Sequence, residues 1–277
     1  MSAAGDRPAM TSAKRLLVYG AHPDDPEIKA GGLAAKYAAR GDEVRFVSMT
    51  NGATGHHEIG GVELARRRYE EAQASADVIG IEYEIWDEHT GELTASVARR
   101  KRVIREIRQY DPDLVLTHRT NDYHPDHRYA GQLVRDAAYV VEVPNMCPLT
   151  PALRDTPAIA HLEDDFQEPT TFEPDVVVAI DDVLEQKLDM LHCHESQMYE
   201  WLPYNQDELA DVPAEDTARR EWLADRRAPE FAAIADRFRD RLVERYGDRG
   251  HDVEYAEAFS FSEYGGQPDA VDELFPR

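Results

Sequence analysis

"LLVYGAHPDDPEIKAGG" (residues 16–32) begins as a continuous apolar run and turns abruptly into His22-Pro23-Asp24-Asp25. The run has the composition of a buried parallel strand. The stretch after Pro26 carries Ile28, Leu33, Ala34 and Tyr37 near helical spacing, and Gly41 fits a stop. A strand running into a helix is the first half of an α/β unit. Its turn is unusual, because an imidazole and two carboxylates beside a core are costly unless something pairs with them.

The same alternation continues along the chain. Strands are expected at 42–50, 82–87 and 113–118, and helices at 63–80, 95–111 and 126–142. Helix 63–80 should turn Leu64, Tyr69, Ala72 and Ala76 inward, and helix 95–111 should bury Val97, Val103, Ile104 and Ile107. Residues 143–173, rich in Pro and acid, read as a long loop of the kind that often serves as a lid. A strand at 174–181, a helix at 181–197, one or two polar helices at 215–246 and a last strand at 255–265 complete the pattern. Strand–helix alternation of this kind predicts an α/β fold, a doubly wound and mostly parallel central sheet with helices on both faces. Residues 1–13 read as a disordered arm and 14–277 as a single domain.

Composition narrows the function. With 31 basic against 55 acidic residues, the net charge is −24. That argues against nucleic acid and anionic membrane surfaces as partners, since both need a basic face. Five lysines in an acid-rich chain of 277 residues fit a high-salt cytoplasm or a GC-rich genome equally well. Cys147 and Cys193 form no CxxC pair, and the first residues show no apolar leader segment, so a reducing cytoplasm is expected.

Every polar cluster follows a strand. His22, Asp24 and Asp25 follow the first; Thr50, Asn51 and Gly52 the second; Asp87 the third; His118 and "NDYHPDHR" (121–128) the fourth. In an open α/β sheet the carboxyl ends of the strands line one crevice, where ligands bind. That brings His22, Asp24, Asp25, His124, Asp126 and His127 together as an N,O donor set suited to Zn²⁺ or a similar divalent ion. Within each turn His and its i+3 partner project to one side, so each pair offers a ligand and a reactive group. A single HPD would read as a turn with Asp capping the helix; two, each after a strand, point to a metal. No GxGxxG follows the first strand, which argues against a dinucleotide. His56-His57 reads as substrate-facing or solvated, and His194 as a buried, hydrogen-bonded histidine. The Arg66–Arg68 run reads as a solvated face with one member free to turn inward.

On "AHPDD" (21–25), "AGG" (30–32), "TNG" (50–52), "RYEEA…IG" (68–80), "HPDHR" (124–128), "K…HESQ" (187–197) and "YAEAF" (255–259), the chain resembles the PIG-L/LmbE-like family of zinc-dependent N-acetylglucosaminyl de-N-acetylases. The resemblance implies a Rossmann-like three-layer fold and one Zn²⁺ per chain on His22, Asp25 and His127. It implies Asp24 as general base, and His124 as acid or electrostatic stabiliser with Asp126 oriented against it. The reaction would be hydrolysis of the acetamide of an N-acetyl amino sugar or its conjugate. Asn51, Arg68 and Asp122 are candidates for sugar-hydroxyl contacts, and Asp126 and His194 for support of the site. The partner is then a small N-acetyl sugar, with a homo-oligomer left open. Pro26 departs from the Glu or Cys many members carry after the Asp pair. A metal-dependent phosphoesterase and a non-catalytic metal- or sugar-binding protein are the rival readings. The phosphoesterase would want a second metal and more bridging carboxylates, and the binding protein would have no use for Asp24.

Overall fold

A computed structural model describes residues 13–268 and 270–277. Apart from Ala13, the arm expected at 1–13 lies outside the described residues. Seven strands form one sheet in the order β3-β2-β1-β4-β5-β7-β6. They are β1 (Arg15–Gly20), β2 (Glu43–Ser48), β3 (Glu82–Ile85), β4 (Leu114–Thr117), β5 (Ala158–Leu162), β6 (Val176–Ala179) and β7 (Ala256–Phe261). The pairs β1–β2, β2–β3, β1–β4 and β4–β5 are parallel, and β7 alone runs against its neighbours. The fully buried Leu16, Leu17, Val18 and Tyr19 of β1 face two cores on opposite sides of the sheet. This is the three-layer arrangement that strand–helix alternation requires.

The helices are α1 (Asp25–Ala39), α2 (Gly61–Ile79), α3 (Val97–Tyr110), α4 (Pro125–Ala137), α5 (Leu184–His192), α6 (Leu202–Asn205), α7 (Asp216–Arg237), α8 (Arg239–Tyr246) and α9 (Val271–Leu274). Strand order reverses between β1 and β4, so the crevice falls at their carboxyl ends. Both α1 and α4 begin there, aiming two positive helix ends at one spot. No helix among the described residues is long and apolar enough to cross a membrane.

Several expectations are corrected. The loop expected at 143–173 contains β5, whose "AIAHL" is too short to stand out between prolines and acids. The helix expected at 181–197 ends at His192, and a π-helical turn follows at Ser196–Trp201. Ser196 there bonds Glu71 through both its amide (2.9 Å) and its hydroxyl (2.6 Å), so the local helix gives way to a tertiary contact. On α2, Tyr69 is 50% exposed and Arg68, 2% exposed, takes the inward place. Val97, in the first turn of α3, is also exposed.

Candidate metal centre and catalytic crevice

Two histidines are aimed by carboxylates. Asp126 Oδ2 lies 3.1 Å from His22 Nε2, and Asp122 Oδ1 lies 3.1 Å from His127 Nδ1. With each carboxylate accepting the ring proton at that nitrogen, His22 Nδ1 and His127 Nε2 are the atoms that would offer lone pairs to a metal, which at His22 would displace a proton. Those two atoms are 3.2 Å apart, and Asp25 Oδ2 lies 3.5 Å from the first and 3.4 Å from the second. Four bonds of about 2.0–2.1 Å at tetrahedral angles place donor atoms about 3.3–3.4 Å apart. The triangle of His22, Asp25 and His127 therefore has the dimensions of one face of a tetrahedral metal site.

Two other triads overlap it: His22, His124 and His127, and Asp25, His118 and His127. Both contain a histidine whose ring lone pair is taken up by an amide; Asp25 Oδ2 also accepts the Ala21 and His22 amides at 3.0 and 2.9 Å, but a carboxylate has further lone pairs to give. His124 Nδ1 accepts the Asp126 amide at 3.1 Å as the cap of α4, and His118 Nε2 accepts the Ala21 amide at 3.2 Å. His118 instead stacks on His127, with ring centroids 4.1 Å apart. Its place at the end of β4 was visible in the sequence; its packing role was not.

The electrostatics favour a cation. Burial works against charge on His22, but Asp126, Asp25 and Asp24 outweigh it and lift its pKa to about 9. Burial pushes the Asp25 carboxyl up, and His127 and His118 overcome that to hold it well below the usual range. Burial together with His22 and His127 lowers His124 to about 4, so it stands neutral with its proton on Nε2.

Asp24 is the anomaly. It occupies the N-cap of α1 with φ 131°, a conformation that strains any residue but glycine. Its side chain makes no capping bond; it turns to Arg68, Oδ1 to Nη2 3.3 Å. Burial raises its pKa and Arg68 pulls it down. Arg68 also donates to the Pro23 carbonyl. Its guanidinium lies against Gly52 (φ 74°), where a Cβ would come within 2.5 Å of Arg68 Cδ. The glycine of "TNG" thus makes room for the arginine. Behind Asp24, its amide donates to Tyr83 Oη (3.3 Å), and Tyr83 reaches Glu27 (3.4 Å). Glu27, wholly buried, also binds His194 Nε2 (2.7 Å) and Ser75 (2.8 Å). The support expected of His194 reaches the crevice through Glu27.

Three placements differ from expectation. Asp126 orients His22, held by the amides of Gly91 (2.6 Å) and Leu93 (3.2 Å), and stands 3.8 Å from His124 Nδ1. Asp122 is engaged by His127 and does not stand open to a hydroxyl. Asn51 is engaged by Asp87 and the Ala53 amide, beside a cavity of about 400 Å³ at the ends of β2 and β3. The buried Arg68 Nε has no hydrogen-bond partner among the described residues.

An open sheet with a His/Asp/His triangle at its crevice and a strained carboxylate beside it is the arrangement of a candidate metal-dependent enzyme centre. The sequence profile of the PIG-L family, described as GlcNAc-PI de-N-acetylase, matches residues 17–138. A diacetylchitobiose deacetylase of Thermococcus kodakarensis is 33% identical over 206 residues, 69% of this chain and 74% of the relative. A 4-oxalmesaconate hydratase of Pseudomonas putida is 27% identical over 202 residues, 70% of this chain and 78% of the relative. The solved structure of an N,N'-diacetylchitobiose deacetylase from Pyrococcus horikoshii, with an inhibitor, superposes with a TM-score of 0.70 at 26% identity, covering 91% of this chain and 85% of that one. The chain belongs to the PIG-L family of de-N-acetylases.

Proposed function

We propose that this protein is a zinc-dependent hydrolase that removes the acetyl group from an N-acetyl amino sugar, releasing acetate and free amine. Residues 14–277 would act as one catalytic domain, with one Zn²⁺ on His22, Asp25 and His127. The reading rests above all on Asp24, a buried carboxylate in a strained backbone that forgoes its capping bond beside a metal triad. Strain of this kind persists where the surrounding structure holds it and where chemistry uses it.

Bound there, a zinc ion would acidify a water and polarise the acetamide carbonyl. Asp24 takes the proton of the attacking water, its basicity raised by burial and held in range by Arg68. His124, neutral and protonated at Nε2, donates to the developing oxyanion. Asp24 then carries its proton to the departing amine. Of the residues considered for sugar hydroxyls, Asn51 keeps one Nδ2 hydrogen beyond the one given to Asp87, and Arg68 acts through its hold on Asp24.

A hydratase relative raises a second reading, addition of water to an organic-acid anion. Recognising such an anion needs free cations at the crevice. Here Arg68 pairs with Asp24, Arg67 with Glu71 and Glu200, Arg119 with Asp164 and Lys29 with Glu163. Arg128 of the second metal turn is bonded to the Asp122 and Tyr123 carbonyls and not to a carboxylate, so the rim is largely but not wholly neutralised, which favours an uncharged sugar over a dianion. The test is acetate release by zinc-loaded protein from N-acetylglucosamine, diacetylchitobiose and an N-acetylglucosaminyl-inositol. Release from any of them supports the reading. No acetate, with hydration of an unsaturated dicarboxylate instead, would replace it.

A further inference from the structure

Tyr123 stands apart from the other residues of the second metal turn. It is 72% exposed, while its neighbours Asp122 and His124 are drawn into the site. The exposure is not that of a loose loop. Arg128 Nη1 donates to the carbonyls of Asp122 (2.6 Å) and Tyr123 (3.2 Å), and the His124 amide donates to Asp122 Oδ1 (2.9 Å). The ring meets His124 and His127 nearly at right angles, with centroids 5.7 and 5.5 Å away. Phe166 lies 6.0 Å away on the segment after β5.

That segment is fastened to the same turn. Arg119 grips both Asp164 oxygens at 2.6 Å and the carbonyls of Phe166 (3.0 Å) and Thr170 (2.8 Å). Asn121 Nδ2 holds the Glu168 carbonyl at 3.0 Å. Residues 119–128 thus fix two aromatic rings at the edge of the metal centre, one of them largely bare. A large aromatic held rigid and open gives contact area at little cost in conformational freedom. Its face matches the apolar C–H face of a pyranose ring, whose hydroxyls lie around the perimeter.

We infer that Tyr123, backed by Phe166, is a specificity-determining platform on which the sugar ring of the substrate stacks while its acetamide reaches the metal centre. The inference rests on the deacetylase reading and adds what distinguishes a sugar amide from any other amide.

The experiment compares Tyr123→Ala and Tyr123→Phe with the parent on N-acetylglucosamine and on the ringless amide N-acetylethanolamine, with zinc content measured in each. Tyr123→Ala should raise KM for the sugar about tenfold, the order expected for one lost aromatic contact, with kcat within about twofold. Tyr123→Phe should stay within about twofold of the parent, because the ring does the work. Kinetics on the ringless amide should not move. An unchanged KM in Tyr123→Ala, a Phe variant as poor as the Ala variant, or equal losses on both amides would each overturn the platform. If the parent releases no acetate, the deacetylase reading fails by itself, and calorimetric binding of glucosamine decides the platform. Weaker binding by Tyr123→Ala upholds it; equal or undetectable binding in both proteins rejects it.

Discussion

Replacing Asp24 by Asn separates its proton-transfer role from its place in a buried ion pair. The backbone should tolerate the change, since Asn has the shape of Asp and bears the same strain at φ 131°. Zinc should stay, because Asp24 is outside the donor triangle. Two losses are expected. The Asp24–Arg68 pair spans 3.3 Å with side chains 8% and 2% exposed. Breaking a buried pair from one side costs ~3–5 kcal/mol. The Asn carbonyl still accepts one hydrogen bond, which returns about 1–3 kcal/mol of that. A net loss of about 2 kcal/mol should lower the melting temperature by roughly 4–8 °C in a chain of this size. The second loss is catalytic: removing a general base costs ~10²–10⁴-fold in rate, or about 3–5.5 kcal/mol of barrier. The double variant Asp24→Asn/Arg68→Met removes the orphaned cation, so it should regain stability and remain inactive. Acetate release, thermal unfolding and zinc content on the three proteins decide the matter. Near-parental turnover in Asp24→Asn with full zinc, or activity returning together with stability in the double variant, would refute the assignment.

Purified protein should carry about one zinc-type ion per chain, and His127→Ala should lose most of it; full retention counts against the triangle. Asp126→Ala and Asp122→Ala should each weaken metal affinity by ~10–100-fold in chelator competition, as loss of a carboxylate behind a histidine ligand does. With a net charge of −24, the melting temperature should rise from dilute buffer to molar salt as self-repulsion is screened; a flat response excludes salt adaptation of the surface. His194 titrates against Glu27. Burial disfavours its charged form, Glu27 outweighs that, and the folded pKa sits above its ordinary 6.5. The stabilisation is therefore complete below pH 6.5 and lost as pH climbs to the raised folded value. His194→Gln should flatten that part of the stability–pH curve, and parallel curves would show that the pair contributes none of it.

The strands and the two metal turns could be read in the sequence because their signals are local. Apolar runs of strand length, each followed by a polar cluster, locate the crevice without any distant contact. What escaped is what depends on partners far along the chain. Helical spacing favours Tyr69 over Arg68 as the buried residue, and only the approach of Asp24 and Gly52 reverses that. Nothing local to Asp122 shows that its carboxylate is taken; His127, five residues on, turns its Nδ1 toward it only in the folded turn. Nearness in sequence gives Asp126 to His124, yet it serves His22, 104 residues away. The "AIAHL" of β5 is an ordinary short apolar run whose strand character comes from pairing with β4 and β7.

The motifs lying far from the metal find their reason in α1. That helix must hold Asp24 and Asp25 in place, yet it carries Gly31 and Gly32 in its interior, where each glycine costs about 1 kcal/mol relative to Ala. A Cβ on Gly32 would come within 2.6 Å of Ile180 Cγ2 and 3.0 Å of Glu257 Oε1. The glycines let a buried ion pair reach the helix backbone. Glu257 accepts the Gly32 amide at 2.7 Å and the Leu33 amide at 2.8 Å, while Lys187 donates to Glu257 at 2.6 Å and to the Ile28 carbonyl at 2.8 Å. Both side chains are essentially without solvent. Such a pair is weak evidence for stability in itself, because desolvation offsets most of its attraction. Its directionality is the gain: charged groups bonded to three backbone atoms of one helix fix that helix in translation and rotation. The lysine of "K…HESQ", the glutamate of "YAEAF" and the glycines of "AGG" are therefore one device. Through it β7 and α5 set the position of the two carboxylates at the start of α1.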